Sequence, residues 1–169
     1  SNGALIVVGS QARASRAALA ELVRFPNTRS ITVTPGEDSA TLLDKGMVSD
    51  LARVLDAGSD VVVDLAPPED PVAPSPALVS MLARDLAPLA AHASALGATG
   101  GETAAAVCGR WGFTGIALVD EIEPGMSLGL TLGARSMPLV TKSGGFGDGG
   151  SLKRLAERLR FIRQTGTVA

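Results

Sequence analysis

Apolar residues along this chain come in two rhythms, and the rhythms alternate. "ALIVVGS" (Ala4 to Ser10) is a nearly unbroken apolar run ending in Gly-Ser, which predicts a strand buried on both faces. From about Ser15 to Arg24, Leu19, Leu22 and Val23 fall on one side of a helix. "SITVTP" (Ser30 to Pro35) alternates and is β-branched, so it predicts a second strand. From about Ala40 to Ala57, Leu43, Met47, Leu51, Val54 and Leu55 make a helical stripe that stops at Gly58. "DVVVDLA" (Asp60 to Ala66) predicts a third strand. The turn-rich "PPEDPVAPSP" then leads to one long helix through Leu78, Leu82, Leu86, Leu89, Ala93 and Leu96, kinked at Pro88.

"ATGGETAAAVCGRWG" continues as a glycine turn opening an alanine-rich helix. The tail changes character: "TGIALVDEIEPG", "SLGLTLGA" and "MPLVTKSG" are strand-like runs with short breaks, before a last helix built on Leu152, Leu155, Leu159 and Ile162. Strand–helix alternation implies parallel strands joined by right-handed crossovers. The predicted fold class is therefore α/β: a mostly parallel sheet flanked by helices, with a partly antiparallel C-terminal portion. A length of 169 residues implies one domain spanning 1–169.

Composition adjusts this picture little. Hydrophobic content is 46%, much of it alanine, with few aromatics, which suits helices packed closely on a sheet. The net charge of −2 and the absence of a basic run argue against a nucleic-acid partner. Lys153, Arg154, Arg158, Arg160 and Arg163 of the last helix are scattered around it and read mainly as a solvated face. A lone cysteine, Cys108, allows no internal disulfide and fits a reducing, cytoplasmic setting. No stretch reaches membrane-spanning length. The opening "SN", without Met, suggests a short remnant joined to an excised domain.

Candidate chemistry lies in one repeated device, a glycine-bearing turn between a strand and a helix. "VVGSQARAS" has Gly9-Ser10, "ATGGETA" has Gly100-Gly101 with Glu102 and Thr103 in the first helical turn, and "VTKSGGFGDGGS" is glycine-dense throughout. Ligands of parallel sheets sit beyond the carboxyl ends of strands, where helix N-termini offer free N–H groups and partial positive charge. Glycine lets a phosphate approach that backbone. If their strands are neighbours, the three turns would cradle a di- or triphosphate, with Ser10 and Thr103 adding hydroxyls. Lys142, Gly144, Gly145 and Gly147 are the candidates in the last turn. A floppy hinge is the alternative for that turn, and a surface lysine for Lys142.

Known phosphate motifs fit poorly. Thr141 stands where a P-loop has glycine before Lys-Ser. Gly145, Gly147 and Gly150 spell G-x-G-x-x-G, but after the last helix the chain stops too soon for the further strand and acid that a dinucleotide fold requires. His92, Cys108, Trp111 and Phe113 read as packing or surface residues, and Asp120, Glu121 and Glu123 as solvated charge. No general base stands out, and no residue set is assigned to a metal.

The pieces "VVGSQARAS", "TGGETAAAV", "EIEPGMSLG" and "PLVTKSGGFGDGGSL", in this order, resemble the C-terminal nucleotide-binding domain of the four-carbon acid sugar kinases. The resemblance implies an excised part of a two-domain kinase that works with an N-terminal sugar-binding domain of the same parent chain. It implies ATP and Mg2+ as cofactors and phosphorylation of the terminal hydroxyl of an acid sugar such as a tetronate or 3-oxo-tetronate. Carried over by motif, Ser10, Gly100, Gly101, Glu102, Thr103 and Gly145 would contact ATP; Glu102 stands where Asp is common. Asp148 is a candidate for aiding the metal. A fragment of this kind is expected to be inactive alone. Non-enzymatic readings are an interaction or effector module and a sugar-phosphate-binding domain. A homodimer is left open.

Overall fold

The computed structural model describes residues 1–9, 13–36, 40–65 and 75–168, and side chains in the first helix from Ser15 onward. Its elements run β1 (Ala4–Val8), α1 (Arg13–Leu22), β2 (Thr28–Val33), α2 (Lys45–Asp56), β3 (Asp60–Leu65), α3 (Pro76–Leu86), a 3-10 segment (Ala87–Ala91), β4 (Ala95–Thr99), α4 (Gly101–Arg110), β5 (Phe113–Glu123), β6 (Met126–Gly133), β7 (Pro138–Lys142) and α5 (Ser151–Thr165). The strands form one sheet of seven in the order β2-β3-β1-β4-β7-β6-β5. The first five in that order are parallel; β6 runs antiparallel to both β7 and β5. This is the α/β fold the alternation predicts.

One expectation is corrected. The long helix through Leu96 does not form: α3 ends at Leu86, a 3-10 turn carries Pro88, and "ALGAT" is the central strand β4. Pro88 lacks the N–H that a continuing helix needs there. β4 is buried along its whole length between β1 and β7. Its small residues suit that place, because the α5 side chains Leu155 and Leu159 press on Gly97, where a Cβ would lie 2.7 Å from Leu155 Cδ2.

Each face of the sheet carries its own core. Leu5, Val7, Val61 and Leu96 face α2, α3 and α4, joined by Trp111 and Phe113 in an edge-to-face pair. Ala4, Ile6, Val62 and Val140 face α1 and α5. Burial on both faces explains why "ALIVVGS" and "DVVVDLA" show no polar alternation.

The basic residues of α5 also depart from expectation. Arg160 and Arg163 both donate to Asp60, which is 1% exposed at the start of β3. Arg158 pairs with Asp120 and Arg154 with Glu123 and Asp148. A helix seated on a sheet brings its flanking arginines to loop and strand ends that the helix's apolar spacing alone does not reveal. Lys153 alone of the five keeps to its own helix, near Glu157.

Candidate functional site

β1, β4 and β7 are adjacent and parallel, so the three glycine turns leave the same edge of the sheet side by side. Val8, Thr99 and Lys142 are register partners across these strands. The ladder runs one step further: Gly9 N–H donates to Thr99 O at 3.3 Å, and Gly100 N–H to Lys142 O at 3.0 Å. Neighbouring strands lie about 4.8 Å apart, so three turns span roughly 10 Å.

The turns also touch through their glycines. A Cβ on Gly9 would lie 2.0 Å from Thr103 Oγ1, so only glycine lets α4 sit against the first turn. Thr103 is accordingly buried, its side chain against Gly9. Gly100, the N-cap of α4, has φ 88°, a conformation that favours glycine. Gly101 and Glu102 are exposed at the opening of α4. Ser15 Oγ in α1 donates to Gly144 O at 3.4 Å, linking the first helix to the third turn. Ser10 lies outside the described residues.

The third turn is anchored along its length. Ser143 N–H donates to Gly125 O at 2.8 Å, and Phe146 N–H to Ser143 O at 3.2 Å. The Phe146 ring lies over Gly125, in the β5–β6 turn, and is itself 53% exposed. Gly147, at φ 90°, packs on Ser151 and Lys142, where a Cβ would meet Ser151 Oγ at 2.2 Å. Gly145 differs: no atom lies within 4 Å of its Cβ position, and it faces solvent.

Lys142 is not the surface lysine considered above. It is 2% exposed, its stem under Gly147 and its Nζ 3.1 Å from Ser143 O. Burial pushes its pKa below the ordinary lysine value, while the nearby Glu123 carboxylate opposes that shift.

Glu123 was read as solvated, yet it forms the base of a clasp. Ser151 Oγ donates to Glu123 Oε1 at 2.8 Å and Arg154 Nε to Glu123 Oε2 at 2.6 Å. Arg154 reaches on to Asp148 Oδ1 at 2.8 Å, and Asp148 N–H donates to Ser151 Oγ at 2.8 Å. The Arg154 hydrogen bonds hold both carboxyls below the usual range. Their contribution to the loop is therefore present above the ordinary carboxylate range and is lost as pH falls through the lowered values. Glu123→Gln is expected to loosen this clasp by about 1 kcal/mol, a charged hydrogen bond discounted because Arg154 is 40% exposed. Faster amide exchange from Gly147 to Ser151, with the rest of the sheet unchanged, is the expected reading.

Nothing in the sequence marks Glu123 apart from Asp120 and Glu121. The one available signal is its place just before the "PG" of a strand-to-strand turn. His92 pairs with Asp56 and has no part in this site. Asp64, the register partner of Val8, is buried and held by the two terminal nitrogens of the Arg16 guanidinium, Nη2 at 2.8 Å and Nη1 at 3.1 Å. Among the described residues no group of three or more His, Cys, Asp or Glu side chains is placed to hold a metal ion, and no helix is long and apolar enough to cross a membrane.

A family profile described as a nucleotide-binding C-terminal domain matches residues 5–152. D-threonate kinase of Bordetella bronchiseptica is 46% identical over 79 residues, which are 46% of this chain and 20% of that protein. Two crystal forms of a Bordetella bronchiseptica protein with a domain of unknown function, each a domain-swapped dimer with bound citrate, are 32% and 31% identical with TM-scores of 0.71 and 0.74. They cover 94% and 95% of this chain, which spans 41% and 40% of theirs. A Haemophilus influenzae protein at 18% identity, with a TM-score of 0.71, shares the fold. The chain belongs to the family of nucleotide-binding C-terminal domains carried by four-carbon acid sugar kinases.

Proposed function

We propose that this chain is the ATP-binding domain of a two-domain kinase that phosphorylates the terminal hydroxyl of a four-carbon acid sugar of the threonate type. The observation that carries the reading is the alignment of three glycine turns on adjacent parallel strands. The similarity to D-threonate kinase supports the acid-sugar class. In this reading the backbone N–H groups at Gly101–Glu102, in the first turn of α4, and at Gly144–Gly145 hold the phosphates, and Ser10 joins them by motif.

Phosphoryl transfer depends on positioning and on neutralising charge, more than on covalent chemistry by the protein. Lys142 is the buried cation next to the third turn. Asp148 and Glu123 are engaged by Arg154 and do not fit a direct magnesium site, so a magnesium ion would be held by the phosphates and water. A general base and the acid-sugar site would come from an N-terminal domain of the parent chain. The 169-residue chain alone should bind nucleotide and turn over little substrate. An ATP-dependent sugar-acid kinase belongs in the cytoplasm, where its cosubstrate is.

Calorimetric titration with ATP and magnesium, set against a four-carbon sugar phosphate, tests the reading. Saturable binding of ATP in preference to the sugar phosphate is expected. No heat at millimolar ATP from a folded sample would overturn it.

Lys142→Met supplies a further expected result. Methionine keeps the stem that packs under Gly147 but removes the charge. ATP affinity should fall about tenfold, the loss of one charge-assisted contact. In the wild type, affinity should decline with rising pH earlier than an ordinary lysine pKa of 10.5 would give, because the protonated form binds phosphate and burial releases that proton sooner. The variant should lack this alkaline limb.

A further inference from the structure

Glycines in this chain divide into those the fold needs and those it does not. Gly9, Gly125, Gly133 and Gly147 are crowded, at positive φ, or both. Gly101 and Gly109 are neither: no atom lies within 4 Å of either Cβ position, and neither has positive φ. Both lie in α4, where a glycine weakens a helix relative to alanine. The fold gives no reason for them.

Both line one cavity. It has a volume of about 370 Å3 and lies between α4 and β5, against Ala104, Ala105, Cys108 and Phe113 to Ile116. Gly101, Ala104, Ala105 and Cys108 follow the i, i+3, i+4, i+7 spacing of a single helix face. That face runs about 10 Å from the phosphate turn down the helix. Ala104 and Phe113 make it apolar, and none of its lining side chains is charged. β5 is one of the two edge strands of the sheet, so it has backbone donors and acceptors to spare. The volume falls within the roughly 300–1,000 Å3 of small-molecule sites. Two other cavities, of about 780 and 330 Å3, share no residue with the three turns.

We infer that the groove between α4 and β5 receives the nucleoside of the bound nucleotide, with the base against Ala105, Cys108 and Ile116 and the phosphates leaving past Gly101. This rests on the ATP-binding reading above. An uncharged, mostly apolar groove beginning at a phosphate turn suits a flat heterocycle on a ribose. It does not suit a second anion or a sugar acid.

Gly109→Leu tests it without endangering the fold, since leucine is the better helix former and has open space to fill. Its melting temperature should equal or exceed that of the wild type. Its affinity for ATP should fall about tenfold, while inorganic tripolyphosphate, which lacks a nucleoside, binds as before. Equal ATP affinity in variant and wild type overturns the groove and leaves the ATP-binding reading standing. A wild type that binds neither ligand overturns both.

Cys108, the chain's lone cysteine, gives a second readout in the unaltered protein. Saturating ATP should slow its alkylation by N-ethylmaleimide several-fold, and tripolyphosphate should not. No protection by ATP, or equal protection by both, overturns the assignment.

Discussion

Asp60→Ala is expected to remove about 3–5 kcal/mol of folding stability, the penalty for stranding a buried charge. Asp60 accepts from the Ala4 backbone N–H at 2.9 Å, from Arg160 at 2.6 Å and from Arg163. Removing the carboxylate leaves Arg163, with 8% of its side chain exposed, and Arg160, with 19%, without their shared counter-ion. Arg160 would keep its stacking on Phe25, 4.2 Å from the ring centroid, and its bond to Pro26 O, so its loss is the smaller of the two. The carboxylate ties α5 to the first residues of β1 and β3, at the end of the sheet away from the glycine turns. Urea unfolding should show a lower midpoint with an unchanged slope. ATP affinity of the folded variant should be unaltered. Asp60→Asn, which keeps an acceptor but loses the charge, should fall between. A change below about 1 kcal/mol in the alanine variant would show that the arginines find other partners.

Asp60 also shows where sequence reading stops. Its strand is legible from "VVV", but its partners lie 100 and 103 residues away on a helix whose arginines carry no mark of pairing. Glu123 is the same case, since its clasp exists only after β5 and α5 are placed side by side. β4 escaped for a different reason. "ALGAT" has no β-branched residue before Thr99, and its centre is Gly97, where α5 presses on the strand, so the tertiary packing selects residues that hide it. The glycine turns were readable because their chemistry is local, a bare backbone next to a helix start. Their shared edge was not, since it depends on β7 crossing back to lie beside β4, and only the sheet order reveals that.

Gly145→Val should weaken ATP binding at least about 100-fold, the loss of close approach to the backbone of one phosphate turn. The fold itself should not register the change. Gly145 faces solvent, has no neighbour within 4 Å of its Cβ position and does not adopt positive φ, so stability should stay within about 0.5 kcal/mol of the wild type. Gly147→Val is the informative contrast two residues on. There φ is 90° and the new side chain would collide with Ser151 Oγ and crowd Lys142 Cε, so that variant should lose stability and binding together. A folded, thermally normal Gly145→Val with wild-type ATP affinity would remove the third turn from the site. The same variant failing to bind either ATP or tripolyphosphate would place the fault at the phosphates, because the groove between α4 and β5 lies on the far side of Gly101 and is untouched by residue 145. Position 145 therefore separates the two halves of the nucleotide: a branched side chain there should block the anionic tail, while leucine at 109 should block the base and spare the tail.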